Sequence, residues 1–419
     1  MVKKMEKAEF GVMIMAADTF GDKALWPILD KPVIGYLLKN ILECNPKGVS
    51  VAVKQEDGPL RDYLENFPSV AVIGNGSAET HEWAERFPIL FMLGGALPFL
   101  SAETIRSFVY GHIESRITPN NLSGIDCSIL GDAPYGMVFD PDWLTETRGD
   151  VLSLSGLVEF FDLAGAKTWE YPLGASEAPP ILNQADLAAA STRMRETIVQ
   201  KWMEKGVQVM DPNAIWIGSD VELEPGVCLM PGAQIWGHSS VGAGSVVGPY
   251  CILRNAVLGK GVNLISNVIV EDSKLNDYAK AGPFAYIRES SVLKEHSFAG
   301  KFVEIKKTTI GCGSKVPHLS YMGDAFLGEN VNIGAGSVTC NYDGVGKHQT
   351  KIGNRCFVGS DTMMVAPVTL GDDAMTAAGS TITNDVPSGA LAVGRARQKN
   401  LEGWSLRRKQ EMQGKQAKK

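Results

Sequence analysis

No two of the seven cysteines (Cys44, Cys127, Cys228, Cys251, Cys312, Cys340, Cys356) form a CxxC pair. Their scatter argues against a zinc site and a disulfide framework, and fits a reducing compartment. Histidine is scarce too: His81, His112, His238, His296, His318 and His348 share no regular spacing, which disfavours a metal centre of converging imidazoles. There is no surplus of basic charge. Forty Lys/Arg against 47 Asp/Glu leave a net charge of -7, so nucleic acid is not expected as the main partner. The one basic stretch, residues 395–419, has nine Lys/Arg against two Glu and reads as a solvated tail. Long apolar runs are also missing. "FPILFMLGGALPFL" from Phe87 is too short for a bilayer and contains Gly and Pro, so no membrane span is expected. The opening "MVKKMEKAEFGVMIMAAD" carries Glu6 and Glu9 where a signal peptide would be basic, and reads as a buried first strand of a cytoplasmic protein.

What the sequence has is a beat. From residue 215 an aliphatic recurs every six positions, at Ile217, Leu223, Leu229, Ile235, Val241, Val247 and Leu253, with a small or β-branched residue two positions before each. The beat slips and resumes at Leu258, Leu264, Ile310, Val316, Leu327 and Ile333, then closes with Ile352, Val358, Met364, Leu370, Thr376 and Ile382. Neither helix nor simple strand has period six. A parallel β-helix does: each hexad makes a short strand and a corner, and three hexads make a triangular coil, about nine or ten coils in all. Flat faces on such a prism favour packing against copies, so a homotrimer with sites in the grooves between prisms is expected.

Residues 1–183 alternate strands ("FGVMIMAAD", "SVAVIG", "PILFML") with helices ("KPVIGYLLKNILEC", "SAETIRSFVYGHI"), which predicts a Rossmann-like α/β domain. Residues 184–210 read as a helical connector with Leu187, Met194, Ile198 and Trp202 on one face, residues 211–394 as the β-helix, and 395–419 as the tail.

Polar residues gather where the beat fails. Arg288, Glu304, Lys306, His318, Tyr321 and Asn332 fall within a few coils of one another. An imidazole such as His318 can take a proton from an attacking amine or hydroxyl, and a carboxylate such as Glu304 can orient it. Arg288 and Lys306 suit a phosphate. Between Ile333 and Ile352 about seven residues exceed two hexads. That surplus, "NYDGVGK", reads as an arm leaning toward an adjacent subunit and delivering Asn341, Tyr342 and Lys347.

At "FVEIKK", "GSKVPHLSYMGD", "VNIGAGSVTCNYDGVGK", "IGNRCFVGSDTMMVAPVTLG" and "GRARQ" the chain resembles the bacterial bifunctional N-acetylglucosamine-1-phosphate uridylyltransferase / glucosamine-1-phosphate N-acetyltransferase. The resemblance implies a left-handed β-helix that N-acetylates glucosamine 1-phosphate with acetyl-CoA, towards UDP-N-acetylglucosamine. It implies His318 as general base supported by Glu304, with Asn341 and Tyr342 at the reacting centre. It further implies Arg288, Lys306, Tyr321, Asn332 and Lys347 on the sugar phosphate, and Ala335, Ser360, Ala378 and Arg395 on the coenzyme. Pro317 stands where the family has Gly, next to the base.

The N-terminal half departs from that pattern. The family's L-A-A-G-x-G-T-R-M phosphate loop is "IMAADTFGDK" here, with Asp18 in place of the first Gly and no Arg. Ala96 of "GALPFL" falls where an Asp would bind Mg²⁺, a cation that takes oxygen ligands. The "EINTG" segment has no counterpart, although Lys23 and Asn183 match family positions. The expectation is a degenerate nucleotidyltransferase-like domain without uridylyl transfer, no protein-bound metal, and Mg²⁺ only if that domain works. Two alternatives stay open: a fully bifunctional enzyme and a non-catalytic sugar-phosphate-binding scaffold.

Overall fold

The computed structural model describes residues 9–16, 23–54, 57–75, 78–117, 127–130, 135–143, 153–174, 177 and 181–416, with backbone alone at 115–117, 127, 128 and 414–416. The chain divides into two compact units, Met1–Gln200 with Ile217–Ser219, and Lys201–Trp216 with Asp220–Lys419.

In the first unit the strands are β1 (Gly11–Met15), β2 (Gly48–Val53), β3 (Val70–Gly74), β4 (Leu90–Gly94), β5 (Cys127–Leu130), β6 (Gly136–Phe139) and β7 (Thr168–Tyr171). They form one sheet in the order β3-β2-β1-β4-β6-β5-β7, with β6 antiparallel to both neighbours. Alternate residues of a strand face opposite sides, and here both sides are covered. Val12 and Ile14 of β1 pack in a core with Ile34 and Leu37 of the helix Val33–Glu43 and with Phe108 of the helix Ala102–Ile117. Met13 and Met15 pack in another with Trp83 and with Leu157 and Phe161 of the helix Leu154–Leu163. This is why "GVMIM" is apolar throughout. Ala96 lies just beyond the carboxyl end of β4, buried, its carbonyl accepting from Ile181 N–H at 3.4 Å. Asp18 lies outside the described residues.

The helix expected in the connector runs Gln184–Glu204, and the division between the units falls inside it. Asn183 caps it: its Oδ1 accepts from the N–H groups of Ala185 and Asp186 at 2.8 and 3.0 Å. Gly206, at φ 88°, ends it.

The second unit is the left-handed parallel β-helix of hexapeptide repeats. Its strands are mostly two or three residues long and pair one coil on, as Leu229 with Val247 and Val247 with Leu264. Among the described residues one prism face carries nine strands, one per coil. Every hexad aliphatic named from Ile217 to Leu253 is buried. Corners require left-handed backbone, which Asn and Asp adopt more readily than other side chains. Asn255, Asp272, Asp324, Asn330 and Asp361 hold such corners.

Where the sequence reads as a lapse in the beat, two nine-residue strands, β8 (Phe298–Lys306) and β9 (Lys315–Gly323), run side by side through a corner, and their inward residues Ala299, Ile305, Val316 and Met322 are buried. Both cross it in left-handed conformation, Phe302 at φ 55° and Leu319 at φ 39°. The surplus after Ile333 appears in the register. Ile310 pairs with Leu327, 17 positions on, but Leu327 pairs with Ile352, 25 on. No described helix is long and apolar enough to cross a membrane.

Candidate functional site

The expected residues fall into two groups. The first occupies the prism face that follows the Phe302 and Leu319 corner. Register sets Arg288 beside Lys306, and Glu304 beside Tyr321. Arg288 donates from Nε and Nη2 to Glu304 Oε1 at 2.9 and 2.7 Å and from Nη1 to Glu289 Oε1. Its guanidinium lies 5.3 Å from the centroid of the Tyr286 ring. Lys306, buried, sits 3.4 Å from Glu289 Oε2.

The arm closes onto this face. Tyr342 and Lys347 form an antiparallel bridge, and His348 N–H donates to Asn341 O at 2.7 Å. Asp343 Oδ1 accepts from the N–H groups of Val345 and Gly346 at 2.8 and 2.7 Å, and His348 Nε2 meets its Oδ2 at 2.7 Å. At the root, buried Asn341 donates to Asp324 Oδ2 at 2.6 Å. Lys347 thereby comes close to Lys306 of the same chain. The tip, Val345, is exposed.

Three basic groups thus converge, and their proton equilibria register it. A hydrogen bond from the Lys306 ammonium to an uncharged Lys347 amine holds the Lys306 pKa above its ordinary value, against desolvation and with help from Glu289. That same bond, with repulsion from Lys306, pushes Lys347 down. Desolvation lowers the Arg288 pKa, but the hydrogen bond and charge of Glu304, with Glu289, more than reverse it. Like charges pressed together at an open surface form a seat for a multivalent anion.

The second group lies along an edge. His318, Ala335, Ser360 and Ala378 each immediately precede a left-handed corner residue, Leu319, Gly336, Asp361 and Gly379, in successive coils. Gly379 N–H donates to Ser360 O and Asp361 N–H to Ala335 O. Arg395 lies against Gly379. The four residues expected on the coenzyme therefore continue the column that His318 begins. His318 is exposed, and among the described residues no hydrogen bond or ion pair links it to Glu304, which is taken up by Arg288. Its register partner is Lys301. Asn332 stands apart from the cation cluster, paired with Lys315 and Phe357 on the face that precedes the His318 edge.

Sequence reasoning overlooked Glu289, Asp324 and the Asp343–His348 pair. Glu289 directly follows the singled-out Arg288, and that adjacency was its one signal. Asp324 and Asp343 had none, since hydrogen-bonding to a neighbouring coil or within a turn leaves no periodic trace. An open recess of about 790 Å³ on the first coils, lined by Trp202, Lys205, Glu224, Lys260 and Asp277 among others, includes none of the candidate residues. Its acids already accept backbone N–H groups, Glu224 from Ala243 and Asp277 from Lys260.

Comparison with known proteins decides the family. The Bifunctional protein GlmU of Thermus thermophilus is 34% identical over 431 residues, covering 92% of this chain and 95% of its own length. The chain belongs to the bifunctional GlmU family. The GlmU of Kineococcus radiotolerans is 35% identical over 446 residues, 92% of this chain and 88% of that one. No family model matches. Among solved structures, 4-diphosphocytidyl-2C-methyl-D-erythritol synthase from Anaerococcus prevotii covers 45% of this chain and 99% of its own, at 15% identity and a TM-score of 0.35, a likeness too low to add to the GlmU assignment.

Proposed function

We propose that this GlmU relative is a cytoplasmic acetyl-CoA-dependent N-acetyltransferase that converts glucosamine 1-phosphate to N-acetylglucosamine 1-phosphate, and that it has lost uridylyl transfer. The observation that carries the reading is the convergence of Arg288, Lys306 and Lys347 on one face, next to the edge that carries His318. Arg288, Lys306, Lys347 and Tyr321 hold the sugar phosphate. Asn332, on another face of the prism, reaches the acceptor from a second copy, so the working form is a homotrimer with sites between prisms. Asn341 and Tyr342 border the reacting centre.

The acceptor amine attacks the thioester carbonyl. As the C–N bond forms, His318 takes the amine's proton, the C–S bond breaks, and the coenzyme leaves as a thiolate that is then protonated. Glu304 supports the base through the charge it places on that face. Ala335, Ser360, Ala378 and Arg395 line the edge along which the coenzyme lies. An amine is nucleophilic enough once deprotonated that no acyl-enzyme is needed.

Uridylyl transfer in this fold calls for Mg²⁺ held by oxygen ligands, and the donor set does not fit. The methyl of buried Ala96 offers no oxygen at the position the family's Asp would take. One observation favours the bifunctional alternative: the GlmU relatives match across 92% of the chain, including the first unit. Incubation with glucosamine 1-phosphate, acetyl-CoA, UTP and Mg²⁺, with products resolved by mass, separates the two. The expected product is N-acetylglucosamine 1-phosphate without UDP-N-acetylglucosamine; onward conversion overturns the loss of uridylyl transfer, and no acetylated product overturns the reading itself.

A further inference from the structure

The corner that follows the site face is one residue short of a full hexad on four coils. One residue separates Arg254 from Ala256, Glu271 from Ser273, Lys306 from Thr308 and Gly323 from Ala325, the second of each pair being the buried small residue that opens the next hexad. Between Arg288 and Ser291 there are two, Glu289 and Ser290, both left-handed at φ 51° and 59°. Left-handed backbone is unfavourable for residues other than Gly, Asn and Asp, so two in succession are held against their preference. Ser291 Oγ donates to Arg288 O at 2.7 Å and fastens the corner, as Ser239 Oγ does to Trp236 O at the equivalent corner two coils earlier than the Glu271 one.

This full-length corner puts a carboxylate over the cations. Glu289 Oε1 meets Arg288 Nη1 and its Oε2 lies 3.4 Å from Lys306 Nζ, so one side chain spans both. Glu289 itself is half-exposed, whereas Lys306 is covered. The carboxylate therefore lies on the solvent side of the seat, where an arriving anion must pass. On the other side Arg288 is held by Glu304. Without Glu289, Arg288 and Lys306 would face Glu304 alone, with Asp324 acting on Lys347.

We infer that Glu289 is an internal competitor for the phosphate-binding cations, displaced from Arg288 and Lys306 when the acceptor's phosphate binds, and that it sets the affinity of the site for phosphate esters. The inference rests on the proposed role of Arg288 and Lys306. A dianion can displace a single carboxylate because it offers more charge and three acceptor oxygens to the same donors. Only the half-exposed side chain has to rotate outward, since the cations are already gathered by Glu304 and by the arm.

The experiment is calorimetric titration of the full chain with inorganic phosphate, comparing wild type with Glu289→Gln and Glu289→Gly. Gln keeps the length without the charge, and Gly suits the left-handed corner, so at least one folded variant is assured. Removing the competing ion pairs is expected to tighten phosphate binding about three- to tenfold in both variants. Equal or weaker binding overturns the inference and leaves Glu289 as a brace for the corner. In parallel, the KM for glucosamine 1-phosphate is expected to fall in the same proportion. Should wild type fail to acetylate that sugar while the variants still bind phosphate more tightly, the assigned reaction is wrong and the competitor role stands.

Discussion

Lys347 is the residue whose chemistry is most exposed to test. Its pKa is depressed in the free site by the hydrogen bond to Lys306 and by that residue's charge. A bound dianion reverses this, so binding takes up a proton in the alkaline range. Affinity is then full at lower pH and is lost as pH rises through the free-state pKa of Lys347. Phosphate titrations in two buffers of different ionisation heat will read the uptake, and Lys347→Met is expected to abolish it; no uptake in wild type would mean the two lysines do not share the ligand. His318→Ala is expected to lower acetyl transfer by about 10²- to 10⁴-fold, the usual reach of a general base, with the chain still folded because the ring is exposed. Unchanged turnover would remove His318 from the mechanism.

Two elements govern how the site is presented. The arm is ordered from within: the N–H groups of Gly346 and then Val345, with His348, hold the Asp343 carboxyl well below its ordinary range. A depressed carboxyl contributes order above its unfolded pKa and loses it as pH falls through the folded one, so the arm stays closed in mild acid. Asp343→Ala is expected to raise hydrogen exchange across residues 342–348 and to weaken phosphate binding, with little change in melting temperature because the arm lies outside the core. Coil stacking is the opposite case. A Cβ on Gly311 would stand 2.0 Å from Gly328 O, a backbone atom that cannot swing aside. Gly311→Ala is expected to destabilise the prism by about 1–3 kcal/mol, visible as a lower melting temperature.

At the scale of the whole molecule the two units carry different chemical promise. The second has its cations, its exposed imidazole and its column of small edge residues in place. The first retains the α/β sheet, with buried Ala96 just past the strand Leu90–Gly94, at the position where the sequence resemblance expects an Asp. Asn332 stands on a different prism face from Arg288 and Lys306, so on the proposed assignment the acceptor site draws on two protomers. Light scattering is expected to give the mass of three chains. Mixed trimers of Asn332→Ala and Lys306→Met chains are expected to regain activity, whereas each variant alone is impaired; no regain would place the acceptor within one protomer.

The sequence by itself determined the prism. A period of six is local, set by each hexad's own aliphatic and corner residue, so coil length and inward residues from Ile217 to Ile382 follow without any long-range contact. The surplus at the arm was legible for the same reason, as a count that overran two hexads. The seven-stranded order of the first sheet was not legible, because alternation of strands and helices says nothing about which strands pair. Nor was the partnering of charges. That Glu304 bonds to Arg288, that Lys347 approaches Lys306, and that Glu289 spans two cations all depend on which residues stack 17 or 18 positions apart. Charge pairing acts over a few ångströms in space, and only the folded coils bring those side chains within that distance.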